Sequence, residues 1–368
     1  MSPLSQGTLG LFQRAISESG SAFNPWAYMK TPKERALRLA SYLGYSGSNG
    51  SQEIADYLRT VDASELANNQ AQGPSDELAN TLVVLSPAAE DREIEVRISE
   101  KSGGMNYPFV PTAETSVSSS GEVFLPDEPI NLMRTGQFLR VPVIMGSGSN
   151  EAKMSAQSMN KSASNWRNAN KNFENNVPLD LGLARGSKQS LEVEELIKQF
   201  YYNGEDISSS TVQEYSNMVT DIRYVKGVYK TVSEILAHSD SPLYNYLFSF
   251  DGEINYSYIS GSTTTLKGGG HSDEVCYIFL CSQFNLDLAE DSPELTTLHR
   301  MVSMWTNFVK TGNPSPGEGI SWLPATKDSR YYLQIDTDLS LQQDLLKDRM
   351  AFWDQIYTAY QNGTIDNN

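Results

Sequence analysis

The chain is poor in the residues that hold metals, staple small folds or grip polyanions. Cys276 and Cys281 are the only two cysteines in 368 residues, five apart in one short apolar stretch. That spacing suits neither a zinc site nor a disulfide framework, so two buried free thiols are expected. Lys and Arg number 28 against 45 Asp and Glu, a formal charge of -17. Such a field repels phosphate backbones and anionic lipid, so no nucleic-acid partner is expected. No run reaches the roughly 18 consecutive apolar residues of a transmembrane segment. The first seven residues have neither the basic nor the apolar part of a signal peptide, and the last seven carry no retention or lipidation signal. Walker, G-x-G-x-x-G, H-E-x-x-H and C-x-x-C patterns are all missing, so no cofactor and no metal is expected.

What is present is ordinary for a globular protein. Hydrophobic residues make up 39% and charged residues 20%, and the length suffices for one large domain or two ordinary ones. Asn-x-Ser/Thr sequons stand at Asn49, Asn160, Asn255 and Asn362. With 25 asparagines in a Ser/Thr-rich chain, chance supplies about that many, and the compartment stays open. Residues 116–121, 261–270 and the asparagine-rich 158–178 read as loops. Short β-branched or aromatic runs at 141–145, closed by Gly146, and at 243–250 read as buried strands. Helical spacing is found at 191–202, behind Ser190 as its cap, and at 298–309 and 346–359. The stretch 211–237, with Gly227 inside it, reads as two helices or one bent helix. Strands alternating with helices imply an α/β fold with a mainly parallel sheet and helices on both faces, whose chemistry gathers beyond the strands' carboxyl ends.

Histidine narrows the search for a base that works near neutral pH, because only His238, His271 and His299 exist. His299 sits among helix-spaced apolar residues and His238 closes a helix, where structural roles suffice. His271 follows three glycines and precedes Ser272-Asp-Glu274, in a loop beyond a predicted strand that can present an imidazole to a cleft. Glu151 lies five residues past Gly146 and could orient that histidine, although a capping or merely solvated acid would look the same. Asp221, within a helical segment, and Glu114 are rival acids that read more easily as structural. A nucleophile is missing. G-x-S-x-G, the turn that lifts a serine above a sheet, does not occur, and Ser17-Glu-Ser-Gly20, Gly146-Ser-Gly-Ser149 and Gly44-Tyr-Ser-Gly47 all lack the required spacing.

Ser2-Pro-Leu-Ser-Gln-Gly7 and Gly10-Leu-Phe-Gln-Arg-Ala-Ile-Ser-Glu-Ser-Gly20 resemble the type-B carboxylesterase and cholinesterase family, most like its insect carboxylesterases. The resemblance continues at Asn24-Pro-Trp-Ala27, Ala55-Asp-Tyr-Leu-Arg59, Pro108-Phe-Val-Pro-Thr-Ala-Glu114 and Val141-Pro-Val-Ile-Met-Gly146. It ends with Met304-Trp-Thr-Asn-Phe-Val-Lys-Thr-Gly-Asn-Pro314 and Arg349-Met-Ala-Phe-Trp-Asp-Gln-Ile-Tyr357, so it covers essentially the whole chain. The resemblance implies one partial α/β-hydrolase domain over 1–368, the C-terminal portion of a serine esterase acting on small carboxylic esters. By motif, Glu151 takes the place of the family's acid and His271 that of its base, in the family's chain order. Ala152 stands where glycine is usual, Ser272-Asp-Glu274 replaces a small residue and two aspartates, and Thr8-Leu9 reads as an insertion. The elbow serine and oxyanion loop would fall before Met1, which implies that N-terminal strands are absent and that the chain alone is inactive. A non-catalytic, esterase-like binding or adhesion module is the alternative, since fold does not fix function.

Overall fold

A computed structural model of the protein describes residues 10–74, 78–83, 94–99, 107–114, 123–258, 266–282, 284, 287–317 and 319–360, with 78–83 and 94–99 as backbone alone. The motif at 2–7, the pair Thr8-Leu9, the loop at 116–121, residues 261–265 and Asn362 lie outside them. The chain divides into two compact units: 1–24 with 113–171 and 198–355, and 25–112 with 172–197 and 356–368.

The strands, in chain order, are β1 (Ala15–Glu18), β2 (Leu78–Val83), β3 (Ile94–Ser99), β4 (Val143–Gly148), β5 (Leu243–Phe248), β6 (Tyr331–Ile335) and β7 (Leu339–Gln343). The first unit carries a five-stranded sheet ordered β1-β4-β5-β6-β7, parallel from β1 to β6 and closed by antiparallel β7. Every residue of β4 and β5 is buried, which is why both read as apolar runs rather than as alternation. Tyr246, Phe248, Tyr277, Met304, Phe308 and Trp322 form the heart of the core on this sheet.

The expected stop at Gly146 is not observed, and β4 runs on to Gly148. Gly146 pairs with Tyr246, and a Cβ there would meet the Tyr246 ring at 2.3 Å and its carbonyl oxygen at 2.4 Å. The glycine serves close packing between strands, so it punctuates nothing.

The helices are α1 (Pro32–Tyr42), α2 (Ser51–Thr60), α3 (Ala63–Asn69), α4 (Pro129–Arg134), α5 (Lys153–Met159), α6 (Ala163–Lys171), α7 (Lys188–Tyr202), α8 (Val212–Thr220), α9 (Lys226–His238), α10 (Pro293–Thr311) and α11 (Lys347–Tyr360). None among the described residues is long and apolar enough to cross a membrane. Helix α7 starts ahead of Ser190 because Ser187 caps it, accepting the Ser190 N–H at 3.2 Å, while Ser190 Oγ donates to Glu174 at 2.5 Å. The stretch expected as two helices or one bent helix forms α8 and α9, joined by a π-turn, Asp221–Val225, that ends just before Gly227. The stretch 158–178 is not the expected loop. Trp166 anchors α6 against the Tyr215 ring, and Asn165 and Asn170 bond the carbonyls of Ser158 and Ile207. In the second unit α1, α2 and α3 precede the antiparallel β2–β3 pair, and Arg35 holds the Pro108 carbonyl at 2.8 Å.

Candidate functional site

Past β4 the chain turns through Ser149, Asn150 and Glu151 into α5, at the carboxyl end of a central parallel strand. The Glu151 side chain is fully buried. Its Oε1 accepts the Gly148 N–H at 2.6 Å and its Oε2 lies 2.7 Å from Nδ1 of His271, 120 residues away in sequence.

His271 is carried by the loop that follows β5. Gly269 in its approach lies so close to β5 that a Cβ would sit 2.5 Å from the Phe248 carbonyl oxygen. The acid turn grips this approach repeatedly. Asn150 donates from its side chain to the Lys267 carbonyl at 2.9 Å and from its backbone to Gly269 at 2.8 Å, Ser149 Oγ accepts the Gly269 N–H at 3.1 Å, and Glu151 accepts the His271 N–H at 3.3 Å. Beyond His271, Ser272 adopts φ +67° and starts a short 3-10 turn, Asp273–Tyr277. The fully buried Asp273 carboxylate accepts from Gly270 N–H (2.6 Å), Ser257 N–H (2.7 Å), Asn255 Nδ2 (3.0 Å) and Ser257 Oγ (3.1 Å). The expectation of two free thiols is overturned just beyond, where Cys276 and Cys281 form a disulfide with Cα atoms 5.3 Å apart. The turn folds the chain back on itself, so five residues suffice to bring the sulfurs together.

Burial pushes the His271 imidazole toward its neutral form. The Glu151 hydrogen bond and charge, with the charge of Asp273, outweigh it and hold the group above its ordinary value. Its side chain is 37% exposed, and the Tyr224 ring lies against it, centroids 4.8 Å apart. Glu274 is fully buried, accepting from Tyr246 Oη at 3.3 Å and Ser19 Oγ at 3.4 Å. Burial first, then the charge of Glu151, pushes the Glu274 carboxyl well above its ordinary value. A histidine so arranged donates Nδ1–H to the carboxylate and keeps Nε2 as the basic atom.

The rival acids lie in other settings. Asp221 is bound by Arg349 and by Tyr201 Oη at 2.5 Å, deep in the core, and exposed Glu114 bonds the Phe124 N–H at 3.2 Å. His238 is the last residue of α9, as expected, and His299 is an exposed residue of α10. Of the decoy serines, Ser17 donates to the Gly20 carbonyl at 2.7 Å and Ser147 is buried inside β4. Among the described residues no serine hydroxyl bonds the His271 ring. Tyr224 and the buried Lys153 escaped sequence reasoning. Tyr224 falls off the helical apolar spacing because of the π-turn, and no local pattern marks Lys153 as buried.

A model of the Carboxylesterase family matches residues 1–353. The chain belongs to the carboxylesterase family. This carboxylesterase chain is 28% identical over 381 residues to juvenile hormone esterase of Tribolium castaneum, covering 95% of the chain and 60% of that protein. It is 27% identical to esterase FE4 of Myzus persicae, covering 89% and 52%. Among solved structures it resembles juvenile hormone esterase from Manduca sexta with OTFP covalently attached, with a TM-score of 0.73 and 19% identity over 97% of this chain and 62% of that one. That likeness establishes the α/β-hydrolase fold. The carboxylesterase chain thus spans between about half and three fifths of the length of these relatives.

Proposed function

We propose that this chain supplies the general base, His271, and its orienting acid, Glu151, to a serine carboxylesterase. The observation that carries the proposal is the 2.7 Å contact between a buried carboxylate and a half-exposed imidazole at the carboxyl ends of parallel strands. In the reaction, Nε2 of His271 takes the proton of an attacking serine hydroxyl as its oxygen bonds to the ester carbonyl carbon. The imidazolium, steadied by Glu151, gives that proton to the leaving alcohol, and an acyl-enzyme remains. Water then repeats the sequence, regenerating the serine and releasing the acid.

The serine and its oxyanion loop are assigned to sequence ahead of Met1 in a longer protein, because G-x-S-x-G is absent from the 368 residues. The chain by itself is therefore expected to lack esterase activity, and its substrates in the longer protein are small carboxylic esters. The disulfide supports an oxidising compartment as its place of work. No observation favours the adhesion reading. The test has two parts. The in-frame coding sequence ahead of Met1 is expected to encode G-x-S-x-G about a dozen residues upstream, and in the protein so extended His271→Ala lowers kcat by about 10^4-fold or more. An in-frame stop ahead of Met1, or turnover that survives His271→Ala, overturns the proposal.

A further inference from the structure

Lys153, the first residue of α5, has no exposed side-chain surface. A lysine is left in such a place only when its charge is paired and its hydrogen bonds are made. Its Nζ donates to Asp251 Oδ1 at 2.7 Å and to the Gly268 carbonyl at 3.1 Å, and sits 4.8 Å from the centre of the Tyr258 ring. Asp251 also accepts from Tyr258 Oη at 2.9 Å, and Lys267 Nζ stands 4.0 Å from its other oxygen. Burial, then the bond to Asp251, pushes the Tyr258 phenol up to about 12, so it stays a neutral donor.

Three segments meet at this one ammonium: the turn that carries Glu151, the chain just beyond β5, and the glycine run that carries His271. Apart from the Glu151–His271 pair itself, the acid turn holds the glycine run and His271 through neutral hydrogen bonds made by Ser149, Asn150 and the Glu151 carbonyl. Lys153 adds a charged tie, and its Cβ would touch a side chain at Gly270, 3.2 Å away. We infer that Lys153, clamped by Asp251, is a positioning residue that sets the His271 loop at bonding distance from Glu151. The inference rests on the reading of Glu151 and His271 as acid and base, and it adds a residue that acts on them only through the loop.

Only three histidines are present, so the imidazole titrations are separable by NMR in the chain as it stands. Glu151→Gln sets the scale, because it removes the charge that holds His271 up and must lower its titration midpoint. Lys153→Met is expected to reproduce about half or more of that fall and to leave His238 and His299 unmoved. Lys153→Met combined with Asp251→Asn removes the unpaired carboxylate and restores stability to urea, yet the His271 midpoint is expected to stay low because Gly268 is still unheld. A His271 midpoint unchanged in Lys153→Met overturns the inference. So does a double variant in which both stability and the midpoint return, and so does failure of both Lys153 variants to fold, which would make the pair purely structural. If Glu151→Gln itself leaves the midpoint in place, the acid–base reading fails first, and the two failures are told apart.

Discussion

Asp273 offers a perturbation whose size follows from geometry. Its carboxylate takes three fixed donors, the backbone N–H groups of Gly270 and Ser257 and the side-chain amide of Asn255, together with the Ser257 hydroxyl, which can rotate away. Gly270, Asn255 and Ser257 are all buried. Asp273→Ala therefore strands three buried donors, at about 1–3 kcal/mol each. Some water entering the gap left by the side chain brings the sum to about 4 kcal/mol. Asp273→Asn can keep three of the four bonds by turning its amide toward the Ser257 N–H, and should cost about half as much. With a urea slope of about 3 kcal/mol/M, alanine moves the unfolding midpoint down by about 1.3 M and asparagine by about 0.7 M. Because Asp273 also helps to hold the His271 imidazole above its ordinary value, both variants lower that titration in the folded chain. A midpoint shift below about 0.3 M for alanine would refute the accounting. It would mean that the donors rehydrate without cost and that the turn after His271 is held by something else.

Two other outcomes follow from the same region. His271 is held above its ordinary value of 6.5, so its protonated form adds stability that is fully present below that pH and is lost as pH rises through the folded-state value. The gap in Tm between the chain and Glu151→Gln should accordingly be wider at acid than at alkaline pH, and a gap that widens with alkali would contradict the assignment. For the disulfide, the closed loop is short, and replacing both cysteines with serine should cost about 2 kcal/mol. Thiol alkylation of the unfolded chain, with and without reductant, reads the bond directly, and two free thiols without reductant would disprove it.

Of the five strands of the sheet only β4 and β5 were legible in the sequence, because burial on both faces leaves 143–145 wholly and 243–248 almost wholly apolar. Helix α6 was not, since asparagine signals loop when it bonds its own neighbourhood. Here Asn165 and Asn170 bond backbone carbonyls while Trp166 supplies the burial that keeps the helix in place. The sequon at Asn255 shows the same limit, because its asparagine is fully buried and serves Asp273 rather than the surface. His271 and Glu151 stood out through scarcity and loop context. Their contact spans 120 residues, which no local pattern encodes. Lys153 looked like any solvated lysine, since burial of a charge is decided by partners such as Asp251 that arrive from distant segments.

The π-turn between α8 and α9 makes the site depend on how many residues the helix contains. One residue beyond the regular repeat lets Asp221 face Arg349 while Tyr224, three positions on, lies against His271. Deleting one residue there would restore an unbroken α-helix with better hydrogen bonds. The helices on either side would keep their phase. With a residue between them gone, however, Asp221 and Tyr224 would stand two positions apart instead of three, at a different angle about the helix axis, so the helix could serve its core anchor or its histidine, but not both. Chain length at this point is thus as much a determinant of the site as any side chain in it. A homologue that keeps both residues but drops the extra one should be expected to have rebuilt one of the two contacts.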